Sequence, residues 1–202
     1  MKFDSKKNFY YNKDKLSGFF QQNPDCLSQN LYIERQDRLG IFKFGCSTVD
    51  KVGCGAIAIY NVLKGIKVPT TFDEVICICE RYANFGGKLG LKPLGISKLF
   101  SKIGMRATRY FSIRQLISAN PEQGIIYYLR GFSGAHYVSF TRAGTNKKGE
   151  PTYYFHNIEQ YEFYDKQQIK GKTYLVPRAI TLLEFDKSRK FLYNIYWKVN
   201  KK

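Results

Sequence analysis

A cysteine between two glycines is the residue of this sequence best suited to chemistry. Gly53-Cys54-Gly55 runs directly into the apolar segment 56–63, a pattern typical of a helix that is buried on all sides. The glycines allow a sharp turn and keep the approach to the sulfur clear. The unpaired N–H groups and the positive dipole end at a helix start favour the thiolate, which is the nucleophilic form. The alternative is a small buried cysteine with a packing role only.

Two later segments supply the residue types that a nucleophilic thiol requires. His136 stands at the mouth of a predicted strand over 134–140, and Asn157 lies near the end of a second predicted strand over 153–158. An imidazole can take the thiol proton and return it to the leaving group, and an asparagine amide oxygen can hold the ring in one tautomer. The chain order Cys, His, Asn is that of papain-like enzymes.

The choice of base lies between the two histidines of the chain, His136 and His156. Adjacent residues of a strand point to opposite faces, so His156 faces away from the cysteine if Asn157 faces toward it. His136 is therefore the predicted base, and His156 is expected to face solvent or a loop. Tyr137, opposite His136, is expected to pack.

These motifs resemble the peptidase C39 and C39-like families of papain-like cysteine peptidases, in particular bacterial members with a Gly-Cys-Gly-x-Ile-Ala-x-Tyr-Asn helix. The resemblance spans about residues 50–160, and its matching positions are Cys54, Gly55, Ile57, Ala58, Tyr60 and Asn61, Gly90-Leu91-Lys92-Pro93, His136-Tyr137-Val138 and Phe155-His156-Asn157. It implies an α+β papain-like fold, with helices packed on an antiparallel sheet and the nucleophile helix central. It also implies a Cys54, His136 and Asn157 triad, a thioester acyl-enzyme and no metal or other cofactor.

The sequence departs from the papain pattern at the oxyanion hole. Papain-like enzymes usually carry a glutamine six residues before the nucleophile, and here that position is Thr48, next to Ser47. The nearest upstream glutamine, Gln36, is far away in the sequence. The hydroxyls of Thr48 and Ser47 are therefore the candidate donors beside the backbone N–H of Cys54. The alternatives are a donor from another loop, or a weak or inactive site.

The resemblance leaves several functions open. The first is a cysteine-dependent hydrolase, a peptidase or amidase, whose partner is a peptide or another amide or acyl substrate. The second is an acyltransferase on the same fold. The third is a catalytically degenerate domain that binds a partner through its basic surface.

The composition bears on the size of the core, on membrane spans and on the cellular compartment. The chain has 202 residues, 44% of them hydrophobic and 16% aromatic, which suffices for one sizeable core. No apolar run approaches the ~18 residues of a membrane span, and the N-terminal segment lacks the apolar stretch of a secretory signal. Five cysteines without disulfide-framework spacing suit a reducing compartment, so a cytoplasmic location is expected. Cys77 and Cys79 fall on different sides of a predicted helix and are expected to pack, not to bind metal.

The net charge of +17 comes from 33 basic and 16 acidic residues. The lysines are spread along the chain, and no nucleic-acid recognition motif accompanies them. Weak, non-specific binding to nucleic acid is the most that this charge predicts.

The elements that must position the site follow from periodicity and turn residues. Residues 1–40 are predicted to be an irregular extension that wraps a single papain-like domain over 41–202. Helices are predicted over 54–64, 71–83, 93–103 and 112–119, and strands over 105–110, 124–130, 135–143, 151–158, 179–185 and 191–199. The turn at 146–149 makes 135–143 and 151–158 an antiparallel hairpin, which brings His136 and Asn157 to the same end of the sheet.

Overall fold

A computed structural model describes residues 3–28, 30–129, 134–158, 163–169, 172–188 and 193–201, with the backbone alone for 166–169 and 172–175. The helices are α1 (Ser5–Leu16), α2 (Phe19–Gln22), α3 (Val49–Val52), α4 (Cys54–Gly65), α5 (Phe72–Glu80), α6 (Ile96–Lys102), α7 (Ile113–Ser118) and α8 (Leu182–Lys187). The strands are β1 (Lys43–Phe44), β2 (Ser47–Thr48), β3 (Met105–Tyr110), β4 (Gln123–Leu129), β5 (Ala135–Thr145), β6 (Pro151–His156), β7 (Tyr164–Ile169), β8 (Lys172–Pro177) and β9 (Tyr193–Lys201).

A five-stranded sheet of order β3-β9-β4-β5-β6 forms the centre of the fold, and every neighbouring pair in it is antiparallel. Helices pack against this sheet, so the predicted α+β class is confirmed. The predicted hairpin is also confirmed, because β5 pairs antiparallel with β6 from Ser139↔His156 to Thr145↔Pro151.

The two faces of the sheet bury different clusters, because side chains alternate along each strand. One face carries Ile125, Tyr137 and Trp197 into the core that contains α4. The other carries residues such as Val138 and Phe140 into a second cluster, which α7 and α8 complete with Leu116 and Phe185. The site described below lies where β5 begins and β6 ends, beside the start of α4.

Helix α4 begins at Cys54, as predicted, and lies at the centre of the core. Its residues Ala56, Ile57, Ala58 and Val62 have no exposed surface, in agreement with the all-round apolar pattern of the segment. Helix α4 has 12 residues, and among the described ranges no helix has both the length and the apolar character needed to cross a membrane.

The N-terminal segment is not irregular, contrary to the prediction, because it contains α1 and α2. Helix α1 begins after Asp4, whose side chain accepts from the N–H groups of Lys6 and Lys7. It packs through polar side chains: Asn12 donates to the Lys43 carbonyl, and Asn8 donates to the Gly45 carbonyl. Because α1 packs through polar side chains, its sequence has no apolar periodicity, which is the pattern that predicts a helix. The domain boundary at residue 40 stays a prediction.

The C-terminal prediction was partly wrong. Residues 179–185 do not form the predicted strand, because α8 begins within them at Leu182. Thr181 caps this helix through a reciprocal capping box with Glu184. The β7-β8 hairpin was not predicted. The last predicted strand is confirmed as β9, which lies inside the sheet between β3 and β4.

Candidate functional site

The three predicted catalytic residues line one cavity of about 730 Å³. Cys54 enters it from the first turn of α4, His136 from the start of β5, and Asn157 from the residue after β6. All three are largely buried, with 9%, 3% and 3% of their surfaces exposed. The topology thus brings together residues that are about a hundred positions apart in the sequence.

The glycines on either side of Cys54 are required by close packing. A Cβ on Gly53 would lie 2.6 Å from the backbone oxygen of Val49, and one on Gly55 would lie 2.9 Å from the Cβ of Leu91. Gly53 has an ordinary negative φ of −86°, so the left-handed freedom of glycine is not what this turn uses. The glycines therefore let α4 pack tightly against its neighbours, which differs from the expected role of a sharp turn.

The His136 ring is oriented by the backbone of Asn157. Its Nε2 lies 2.8 Å from the Asn157 carbonyl oxygen. Because a carbonyl can only accept, Nε2 must carry the proton, and Nδ1 is then the unprotonated nitrogen of the neutral ring. In this tautomer Nδ1 is the ring nitrogen that can accept a proton.

The contribution of Asn157 comes from its main chain, whereas the sequence predicted its side-chain amide. Asn157 adopts a left-handed conformation with φ of 60°, which ends β6 and is tolerated best by glycine and asparagine. Its carbonyl meets His136, while its side-chain Nδ2 donates to Oε1 of Gln36 at 3.3 Å. The expected amide-to-imidazole contact is therefore replaced by a carbonyl-to-imidazole contact.

His156 is buried, which corrects the expectation that it faces solvent or a loop. It is 1% exposed and stacks on the ring of Tyr32 with 4.1 Å between centroids. Its Nδ1 lies 2.7 Å from Oε1 of Glu34, and its Nε2 lies 2.9 Å from Oγ1 of Thr141. The strand alternation was predicted correctly, but the segment around Glu34 covers the face onto which His156 points.

Glu34 connects this buried histidine to the turn at Asn157. Its carboxylate is fully buried, and its Oε2 accepts from the Asn157 backbone N–H at 2.9 Å and from the Tyr164 hydroxyl at 2.7 Å. Burial raises the pKa of Tyr164 well above its usual value, with the negative charge of Glu34 adding to the effect, so the phenol remains a donor. Glu34 therefore fixes the turn whose carbonyl orients His136.

The position of Glu34 is set by helix α4 itself. Asn61 accepts from the Ile33 backbone N–H at 2.8 Å and donates to the Ile33 carbonyl at 2.9 Å, and Asn61 is fully buried. Helix α4 thus holds the segment that carries Glu34. Sequence reasoning missed Glu34, since 122 residues separate it from His156 and no local pattern marks it.

Neither predicted oxyanion hydroxyl belongs to the described lining of the cavity. Ser47 and Thr48 are half-buried residues of β2, which pairs with β1. Gln36 does line the cavity, but its Nε2 donates to the carbonyls of Val49 and Asp50 at 3.0 Å each. Both amide hydrogens are therefore committed to the backbone. The oxyanion role of Thr48 and Ser47 stays a prediction.

Two tyrosines form the wall of the cavity beside Cys54. Tyr137 packs as predicted: it is 2% exposed, and its hydroxyl donates to the Leu91 carbonyl at 3.0 Å. Tyr127, its partner across the β4-β5 pair, is half-buried and lies 4.8 Å from it between ring centroids. Both rings belong to the side of the sheet on which α4 packs.

The glycine-rich segment after α5 forms part of the cavity rim. Asn84, Lys88, Leu89 and Gly90 line the cavity. The segment is closed on itself by the Asn84 N–H, which donates to the Gly90 carbonyl at 2.7 Å. Leu89 is 64% exposed, so the rim presents apolar surface to whatever enters.

Within the described residues, no group of three or more His, Cys, Asp or Glu side chains is arranged to hold a metal ion. Cys79 is fully buried in the core, and Cys77 is half-buried.

Comparison of the sequence with models of known protein families finds no match, and comparison with curated proteins finds none either.

Proposed function

We propose that this protein is a cysteine-dependent hydrolase of papain-like type, a peptidase or amidase that works through a thioester. The observation that carries the proposal is the shared cavity of Cys54 and His136, with the Asn157 carbonyl on Nε2 of the histidine. In this proposal Nδ1 of His136 is the base and Cys54 is the nucleophile, and the position of Cys54 at a helix start supports it because thiolate is favoured there. The resemblance to the C39 and C39-like families supports the same assignment.

The proposed reaction has two halves. Cys54 transfers its proton to Nδ1 of His136, and the sulfur attacks the substrate carbonyl carbon to give a tetrahedral oxyanion. The oxyanion collapses, the imidazolium returns the proton to the leaving amine, and a thioester remains on Cys54. Water then attacks the thioester with His136 as base, and the acid product leaves with the thiol restored. An amine in place of water would make the same site an acyltransferase.

Selective labelling tests the proposal. Iodoacetamide at pH 6 should alkylate Cys54 ahead of the other four cysteines, as read by peptide mass spectrometry. Incubation with p-nitrophenyl acetate should release p-nitrophenolate in a burst and leave an acetyl group on Cys54. Cys54→Ala should abolish the burst, while the control variant Cys77→Ala, which removes a half-buried thiol outside the described cavity lining, should keep it. Absence of a burst and of selective alkylation in the unmodified protein would contradict the proposal.

The net charge of +17 favours a second candidate, a degenerate domain that binds an acidic partner. Because the basic residues are distributed along the sequence, binding to nucleic acid should be weak, indifferent to sequence, and steeply reduced by salt through counterion release. A salt titration with several unrelated oligonucleotides measures this. Tight, sequence-dependent binding that persists at high salt would favour the binding module over the hydrolase.

A further inference from the structure

The proposed reaction requires a second donor for the oxyanion beside the backbone N–H of Cys54. Ser47 and Thr48 lie outside the described cavity lining, and the amide hydrogens of Gln36 are taken by two backbone carbonyls. Loss of one oxyanion donor typically costs about 10²–10³ in rate. A donor from another part of the cavity wall would therefore have a large effect.

Tyr127 is the residue that the fold brings to this place. It lies on β4, which pairs directly with β5. It lines the cavity from the face of the sheet that packs against α4. Its cross-strand partner Tyr137 lies directly against the nucleophile helix, since a Cβ on Gly55 would be 3.4 Å from the Tyr137 ring. Tyr127 is thus one ring removed from the residue that follows Cys54.

The Tyr127 hydroxyl is available, unlike that of its neighbour. Tyr137 donates to the Leu91 carbonyl, whereas no described residue accepts a hydrogen bond from the Tyr127 hydroxyl. Tyr127 and Cys54 line the same cavity, and burial raises the pKa of the Tyr127 phenol above its usual value. The phenol therefore keeps its proton near neutral pH, and its O–H can donate a hydrogen bond.

We propose that the Tyr127 hydroxyl donates a hydrogen bond to the oxyanion formed during attack by Cys54. When the sulfur bonds to the carbonyl carbon, the π electrons of the C=O bond move onto the oxygen, which accepts from the Tyr127 O–H and from the Cys54 backbone N–H. When the C=O bond re-forms, the leaving group departs with its bonding pair, and Tyr127 retains its proton throughout. This inference rests on the proposed function and assigns one further residue to it.

Tyr127→Phe removes one oxygen atom from a half-buried ring and so tests the hydroxyl alone. The matched control is Tyr193→Phe, which removes the hydroxyl of an exposed tyrosine on the adjacent strand β9. Tyr193 lies outside the described cavity lining. Two rate constants are measured for each protein: acylation by p-nitrophenyl acetate, and alkylation of Cys54 by iodoacetamide. Alkylation forms no oxyanion, so it reports the thiolate without the donor. Circular dichroism and thermal unfolding check that each variant is folded.

The expected result is a fall of about 10²–10³ in acylation by Tyr127→Phe, with alkylation changed less than twofold and both rates unchanged in Tyr193→Phe. Unchanged acylation in a folded Tyr127→Phe protein would overturn this inference and leave the proposed function standing. An equal fall in acylation and alkylation would also overturn it, because the hydroxyl would then act on the thiolate. Failure of the unmodified protein to acylate at all would overturn both.

Discussion

The Nε2 nitrogen of His136 lies 2.8 Å from the backbone carbonyl oxygen of Asn157. This contact fixes the tautomer of the ring without using the Asn157 side chain, whose amide donates to Gln36 instead. A carbonyl is present whatever residue stands at 157, provided that the backbone keeps its left-handed turn. The role of position 157 is therefore conformational, and this has a direct test.

Asn157→Gly should keep hydrolytic activity within about tenfold of the unmodified protein. Glycine adopts a φ of 60° without strain and leaves the carbonyl on His136 in place. Asn157→Ala should be less stable than Asn157→Gly by about 1–2 kcal/mol, because alanine is disfavoured in this conformation. Activity with p-nitrophenyl acetate and urea unfolding measure the two effects. A loss of activity in Asn157→Gly as large as that in His136→Ala would show that the side-chain amide orients the ring.

Glu34→Gln should weaken both the fold and the site. The two oxygens of Glu34 accept from His156, the Asn157 N–H and the Tyr164 hydroxyl. A glutamine has one accepting oxygen, and its NH2 group cannot accept a hydrogen bond in place of the other. A buried donor left unsatisfied costs about 1–3 kcal/mol. We expect a loss of that size in the free energy of unfolding, together with a lower kcat, since the Asn157 carbonyl is held less firmly against His136.

The control for Glu34→Gln is Asp14→Asn, which removes a carboxylate from an exposed ion pair with Lys15, outside the described cavity lining. Exposed pairs contribute about 0.2–1 kcal/mol, so this variant should be nearly as stable as the unmodified protein. Equal stability losses in the two variants, or an unchanged kcat in Glu34→Gln, would contradict the positioning role of Glu34.

Cys26 should resist alkylation until the solution is strongly alkaline. Burial raises its pKa to about 12, with the negative charge of Asp25 adding to the effect. At pH 9 only about one in a thousand Cys26 side chains is then ionised, and thiolate is the reactive form. Its alkylation rate should rise about tenfold per pH unit from pH 8 to 11, while the folded state persists. Rapid labelling of Cys26 at pH 8 in the folded protein would contradict this expectation.

The sign of the pH effect on stability follows from the same shift. Because the folded pKa of Cys26 lies above the unfolded value near 9, its contribution is fully present below pH 9 and is lost as the pH rises from about 9 to about 12. Cys26→Ala removes this pH dependence but adds a core vacancy. The difference in unfolding free energy between pH 8 and pH 10.5 should therefore be smaller in Cys26→Ala than in the unmodified protein.

Gly55→Ala should destabilise the protein by about 1–3 kcal/mol in spite of the better helix propensity of alanine. The added Cβ would lie 2.9 Å from the Cβ of Leu91, which is fixed to the backbone and cannot rotate away. Gly40→Ala is the matched control, because its Cβ would meet only the Asp50 side chain at 3.4 Å. Urea unfolding of both variants measures the difference. A Gly55→Ala protein as stable as the unmodified one would show that α4 can shift away from Leu91.

Local patterns were sufficient for the elements that carry the cysteine and the histidine. A continuous apolar run after Gly53-Cys54-Gly55 has one stable solution, a buried helix, and α4 is that helix. The turn at 146–149 between two alternating segments predicts the β5-β6 hairpin, and the hairpin alone brings His136 and Asn157 to the same end of the sheet. The capping box of Thr181 and Glu184 is also a local signal; it favours a helix start, and the structure has α8 there instead of the predicted strand.

The surroundings of the site were decided by contacts between distant segments. The sequence by itself determined a thiol at a helix start and a histidine at the mouth of a hairpin strand. Only the tertiary structure determined that Glu34 holds the Asn157 turn, that His156 is buried against Glu34, and that Tyr127 faces the cavity. The reason is physical: helices and hairpins form from neighbouring residues with a fixed period, whereas a buried carboxylate finds its donors wherever the packed chain presents them.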